Sequence, residues 1–287
     1  MLSDAKLSLH TWTIDTTPLE TCLQATAFGG FDAIEIRRSD IVNCYKAGKS
    51  KDDVIAMIRD SGVPVSVMGT EYGWWFTPPD ETRRLFDVLR ETCEIANAVG
   101  CEMIMSAPGQ VTGTIQEAVD ATKNAGDIVE EHGLKLALEF NSQHPLVNQT
   151  SVLRDVVTGA GRASCGMLLD AYHLHRSQGI EVGLKDVTAD ELFAFQYSDV
   201  PTVPEPGVRR PVDRLVPGQG VIDWTFLFGR LSEIGYGGYL SYEAPNPILW
   251  ERSPFEVCEE GVNVTRKLMA DATQPQKPAN GEEGHQS

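Results

Sequence analysis

The 287-residue chain contains no run approaching the ~20 consecutive apolar residues that a membrane-spanning helix requires, so no membrane partner is expected. Its first residues, MLSDAKLSLH, lack the basic stretch and apolar core of a secretory signal, which leads to the expectation of a cytoplasmic protein. Positive charge is scarce: 24 Lys and Arg stand against 41 Asp and Glu, a formal net charge of −17, and no basic cluster offsets it. Nucleic-acid affinity rests on neutralising phosphates with those side chains, so DNA and RNA are poor partners. The six cysteines, at positions 22, 44, 93, 101, 165 and 258, form no CxxC pair. That argues against a zinc knuckle or a thioredoxin-like site and for reduced thiols.

What is present is ordinary in amount and regular in arrangement. A hydrophobic content of 41% and a charged content of 23% suit a globular protein. Eight β-rich runs recur, at 6–12, 31–37, 63–69, 101–107, 134–140, 166–172, 192–198 and 239–244. Helical segments lie between them. Thr17-Pro18 opens one that ends in Gly29-Gly30, and Leu85, Val88, Leu89, Cys93, Ile95 and Ala96 give helical spacing to 78–100. Residues 114–133 close on Gly133, and Asp223 caps another segment that stops at a glycine. Alternation of strand and helix points to parallel βα units. Eight of them closing on themselves make an α/β fold, a (β/α)8 TIM barrel in a single domain. An open doubly wound sheet would carry a glycine-rich phosphate turn after its first strand, whereas this one runs into LHTWTIDTT. The barrel is assigned to residues 1–270, and the polar stretch 271–287 to a disordered C-terminal tail.

Functional groups of such barrels gather at the C-terminal ends of the strands. Strand 5 ends on Glu139, strand 6 on Asp170, strand 7 near Gln196 and Asp199, and strand 8 on Glu243. A single strand-end acid caps a helix or meets solvent as readily as it serves a site. Three at matching positions would repel one another and titrate upward unless a cation sits among them. Glu139, Asp170, Gln196 and Glu243 are therefore candidate metal ligands. An all-oxygen set prefers Mn2+ or Mg2+, with Co2+ or Zn2+ as alternatives.

Several motifs then line up. Glu139 is followed by His144-Pro145 and Val147-Asn148, and Leu169-Asp170 by His173 and His175. Asp213-Arg214 precedes Pro217-Gly218-Gln219-Gly220 and Ile222-Asp223, and a final strand ends in Glu243. Together they make the stretch from Leu134 to Leu268 resemble the xylose isomerase-like superfamily of TIM barrels, within it the inosose (2-keto-myo-inositol) isomerase branch. Before residue 100 the resemblance lies in strand order, with Glu35 as a usual extra polar group at the end of strand 2. Many members have His at the end of strand 7, where this chain has Gln196, as do some dehydratases of the superfamily.

The resemblance implies a metal-dependent isomerase or epimerase of a keto-sugar or inosose. In it Glu139 and Glu243 are both metal ligands and the acid/base pair that moves a proton next to the carbonyl, through an enediolate. His173 is then a third catalytic candidate, facing a substrate oxygen or relaying a proton, and His175 a support of its loop. His144, Arg214, Trp74 and Glu35 are substrate-binding candidates; Trp74 and Trp75 serve equally well as packing. Arg214 could instead pair with Asp199 or Asp213. Met68, Met103 and Met105 read as core. The partner is a small keto-sugar or cyclitol, without a phosphate since no Lys/Arg-rich clamp is evident, and a homo-oligomer is compatible. The runner-up reading is a lyase, an inosose or 3-dehydroshikimate dehydratase, which Gln196 favours slightly. A non-catalytic sugar-binding subunit is the bland alternative. Endonuclease IV chemistry needs a trinuclear zinc site with many more histidines than the six here.

Overall fold

Eight parallel strands close on themselves in sequence order, β1 through β8, with β1 hydrogen-bonded to both β2 and β8. The computed structural model describes residues 5–203 and 207–273. The strands are β1 Leu7–His10, β2 Ala33–Ile36, β3 Val65–Gly69, β4 Met103–Ser106, β5 Lys135–Glu139, β6 Cys165–Asp170, β7 Leu192–Tyr197 and β8 Leu240–Tyr242. The expected TIM barrel is thus the observed one. Seven of the strands fall within the runs read from the sequence, and β6 starts one residue earlier, at Cys165.

The outer layer is built from α1 Leu19–Gly29, α2 Arg38–Lys46, α3 Lys51–Asp60, α4 Pro79–Val99, α5 Ile115–Glu131 and α6 Thr150–Ala160. It continues with α7 Ala171–Ser177, α8 Ile180–Gly183, α9 Trp224–Ile234, α10 Pro247–Trp250 and α11 Pro254–Thr273. Local chemistry sets several boundaries. Thr114 and Glu117 cap α5 reciprocally, and Gly133 takes φ +70° just past its end. The Asp223 carboxylate accepts the Phe226 N–H at the start of α9. α1 instead begins one residue after Pro18, with no side-chain cap. The last helix reaches Thr273, three residues into the stretch assigned to the tail; the rest of that stretch lies outside the described residues. Among the described residues no helix is long and apolar enough to cross a membrane.

Alternation along each strand decides which side chains enter the lumen. Leu7 and Leu9, Ile34 and Ile36, Leu136 and Leu138, Met167 and Leu169, Phe195 and Tyr197, and Leu240 and Tyr242 belong to the large core under the helices. A separate small cluster, Val67, Met105, Ala137, Leu168 and Ala194, fills the barrel itself. The residues two places beyond Ala137, Leu168 and Ala194 are Glu139, Asp170 and Gln196, on the same face and one layer higher. The fold therefore delivers the strand-end polar groups into one mouth. Met68 joins the outer core and Met105 the lumen cluster, with Met103 packed against the latter.

Candidate metal and proton-transfer site

Four carboxylates crowd the mouth: Glu35, Glu139, Asp170 and Glu243 are 1%, 8%, 0% and 5% exposed. Asp170 accepts the Tyr172 N–H at 2.6 Å, so it caps the short helix after its own strand. Its other oxygen lies 2.5 Å from Arg214 Nη1, and the same nitrogen is 2.9 Å from Glu243 Oε2. Gln196 donates its amide N–H to Glu35 Oε1 at 2.8 Å. The Ser142 backbone N–H and hydroxyl lie 3.3 and 2.9 Å from His173 Nδ1, and Arg214 Nη2 faces its Nε2 at 3.4 Å. Nε2 in turn stands 3.6 Å from Glu139 Oε1. Ligand atoms of Glu139, Asp170 and His173 all fall within 4.8 Å of one another.

The charges are unevenly matched. Burial first, then the nearby Asp170 charge, pushes the Glu139 carboxyl well above the ordinary range, and burial does the same to Glu243 despite Arg214. Glu35 is pushed by burial to about 7. Burial is the largest effect on Asp170 and opposes its ionisation, but the charges of Arg214 and His173 and the hydrogen bonds from Glu243 and Arg214 together outweigh it, and the pKa is lowered. His173 drops to about 4, mainly by burial. Glu35 Oε2, Glu139 Oε1, Gln196 Oε1 and Glu243 Oε2 are buried with no hydrogen-bond partner, although Glu243 has the Arg214 charge beside it. All four are acceptors. A divalent cation is the kind of partner these acceptors lack, and among the acidic, histidine and cysteine side chains of the described residues, Glu139, Asp170 and His173 bring ligand atoms close enough to share one.

The loop between β7 and α9 places the guanidinium. Asp199 and Leu215 exchange backbone hydrogen bonds at 2.9 and 3.0 Å, folding the chain back over the strand end. The Asp199 carboxylate then accepts from the N–H groups of Val200, Gly218 and Ile222 and from the Trp224 indole. Asp213 accepts from the Tyr172 hydroxyl at 2.5 Å and from Arg176 at 3.1 Å. Neither acid is the partner of Arg214, whose guanidinium lies 4.5 Å from the Tyr172 ring centre, between Asp170 and Glu243. A Cβ at Gly220 would sit 2.2 Å from the Val200 carbonyl and 2.4 Å from Asp199 Oδ1. Gly220→Ala is expected to cost roughly 1–3 kcal/mol by overpacking, measured by chemical denaturation against wild type.

Two substrate-binding candidates are placed elsewhere. His144 accepts the Leu146 and Val147 N–H groups on Nδ1 and meets the Val111 carbonyl with Nε2 at 3.2 Å. With both nitrogens on backbone and its ring stacked on Phe76, it ties two loops together rather than joining the acids. Trp74 is 2% exposed and donates to Ser106, and Trp75 donates to Thr122, so both indoles belong to the packing. The aromatic open at that rim is Tyr72, 41% exposed, its hydroxyl 3.0 Å from Met105 Sδ. His175, with its pKa lowered by burial and Arg176, lies two residues past His173 on α7, about half a turn on. His10, which closes the ring of polar groups from β1, is absent from the candidates named by the sequence. Reading the last residue of LSLH by the same strand-end rule would have found it.

A family model described as xylose isomerase-like TIM barrel matches residues 23–268. The inosose isomerase of Bacillus subtilis (strain 168) is 26% identical over 272 residues, 90% of this chain and 94% of its own. The 3-dehydroshikimate dehydratase of Pseudomonas putida is 24% identical over 228 residues, 78% of this chain and 35% of that longer protein. Among solved structures, the IolI protein with a bound zinc atom matches with a TM-score of 0.83 at 23% identity, covering 93% of this chain and 99% of that one.

Proposed function

This chain belongs to the xylose isomerase-like TIM barrel family, and from that premise we propose that it is a divalent-metal-dependent isomerase or epimerase of a keto-sugar or inosose. The observation that carries the reading is the pair of buried carboxylates on β5 and at the end of β8, Glu139 and Glu243, each with an oxygen that makes no hydrogen bond, that of Glu243 having only the Arg214 charge beside it. Glu139, Asp170, Gln196 and Glu243 would hold the cation, which when bound supplies Lewis-acid stabilisation of the charge developing on the substrate carbonyl oxygen.

The chain's own groups account for the rest. One of Glu139 and Glu243 takes the proton from the carbon next to the carbonyl, and the C–H electron pair moves into a C=C bond as the oxygen gains charge. The other glutamate returns a proton to a different carbon or face. Burial shifts both carboxyl pKa values upward, which makes each a stronger base toward a carbon-bound proton than an exposed glutamate. His173, held by Ser142 on Nδ1 with Nε2 3.6 Å from Glu139, is placed beside that carboxylate to meet a substrate oxygen. Arg214 keeps Asp170 ionised. The name of the Bacillus subtilis relative supports an inosose.

The second reading is dehydration by the same proton abstraction followed by loss of a β-hydroxyl. Gln196 and the likeness to the Pseudomonas dehydratase favour it. Incubation in D2O with Mn2+ and 2-keto-myo-inositol, D-tagatose, D-allulose or 3-dehydroshikimate separates the two. Solvent deuterium at the α-carbon with no new ultraviolet absorbance is the expected result. A conjugated enone formed from one of the other three ketones, or an aromatic catechol formed from 3-dehydroshikimate, which is already an enone, selects the lyase, and neither signal with any of the four sinks both readings.

A further inference from the structure

The end of β1 carries a side chain that the proton transfers above do not use. His10 is 2% exposed and pairs in register with Glu35, at the seam where β1 lies between β2 and β8. The 3-10 turn that follows, Thr11–Ile14, aims the Trp12 backbone N–H at His10 Nδ1 over 3.1 Å. A nitrogen that accepts this bond holds no proton, so the imidazole is neutral with its hydrogen on Nε2. That Nε2 stands 3.4 Å from Glu243 Oε1 and 3.8 Å from Glu35 Oε1.

The same turn grips Glu243 from outside. Thr13 donates its hydroxyl to the Tyr242 carbonyl at 2.8 Å and accepts the Ala244 N–H at 2.9 Å, fixing the backbone on both sides of Glu243. One four-residue turn thus sets the backbone of the glutamate and the tautomer of the ring that faces it. We propose that His10 is a positioning residue for Glu243, a fixed Nε2–H donor that aims its carboxylate into the lumen and away from Glu35. A shift of about 0.5 Å brings the pair to hydrogen-bond length. The assignment rests on Glu243 being a proton-transfer group, as read above.

The test combines a tautomer measurement with kinetics. In 15N-labelled wild type, with the His10 resonances identified by their loss in His10→Gln, Nε2 is expected to bear the proton. With 2-keto-myo-inositol and Mn2+ in D2O, His10→Phe, which removes the donor and keeps a ring, is expected to lower kcat for deuterium uptake ~30-fold, as loss of an orienting partner does. KM stays within about threefold, and His10→Gln, which keeps an N–H, recovers most of the rate. Thermal melts of both variants report folding, and the tautomer is read on wild type whether or not they fold. A proton on Nδ1, a His10→Phe rate equal to wild type, or a folded His10→Gln as slow as His10→Phe overturns the proposal. No deuterium uptake by wild type with any ketose overturns the reading of the whole site, and this assignment with it; uptake by wild type with a proton on Nδ1 or with variant rates other than those expected overturns His10 alone.

Discussion

Glu139→Gln and Glu243→Gln are each expected to slow α-proton exchange by ~10^3, within the range assigned to a positioned acid or base, while raising the melting temperature of the metal-free protein at neutral pH. The amide matches the carboxylate in volume but cannot take a proton, so the loss falls on kcat. The gain in stability follows from burial. Both carboxyl groups are pushed well above the ordinary range, so the folded state binds protons that the unfolded state has released. Metal-free stability therefore declines as pH rises from the ordinary carboxylate range toward the raised values, and a glutamine removes that decline. Asp170→Asn should do the reverse. Arg214 holds its pKa low, so its contribution is present above the ordinary Asp range and is lost as pH falls through the lowered value. The same isosteric exchange then destabilises at neutral pH. Melting curves of the three variants in chelator, set beside their exchange rates, test this. A glutamine variant that melts lower than wild type, or that keeps its exchange rate, refutes the assignment of that glutamate.

The barrel was legible because its evidence is repeated eight times: a short apolar strand, a polar end and a helix. Period two along Leu136–Glu139, Met167–Asp170 and Phe195–Gln196 also says which side chains share the lumen, since register carries the pattern from one strand to the next. What a loop side chain does with its polar atoms depends on what another loop brings to it. His144 looks like a free imidazole in the sequence, yet two backbone N–H groups and the Val111 carbonyl, 33 residues away, occupy it. Trp74 is decided by Ser106 and Phe86 in the same way. Asp199 and Asp213 both looked like partners for Arg214. Four N–H donors around one and Tyr172 with Arg176 around the other leave the guanidinium to the strand-end acids, and only the folded loop reveals that division.

Arg214→Leu is the change expected to cost most in stability, roughly 3–5 kcal/mol in the metal-free protein, because removing one partner of a buried ion pair leaves the other charge uncompensated. Here Asp170, whose pKa is lowered beside the guanidinium at 2.5 Å, loses its counter-charge, and Glu243 loses the guanidinium 2.9 Å from its Oε2. Leucine also gives up the packing of the guanidinium on the Tyr172 ring. Both acids belong to the set proposed to hold a divalent cation, so a cation can restore in part what the arginine supplied. Binding confined to the folded state adds stability by mass action, about 4 kcal/mol at a thousandfold excess over Kd. Mn2+ should therefore raise the melting temperature of Arg214→Leu by more than it raises that of wild type. Glu243→Gln added to Arg214→Leu should shrink that difference, since the cation then has one carboxylate fewer to neutralise. The measurement is a melting series against Mn2+ concentration for the three proteins. Equal shifts in wild type and Arg214→Leu would show that guanidinium and cation do not act on the same carboxylates, and would move the metal away from Asp170 and Glu243.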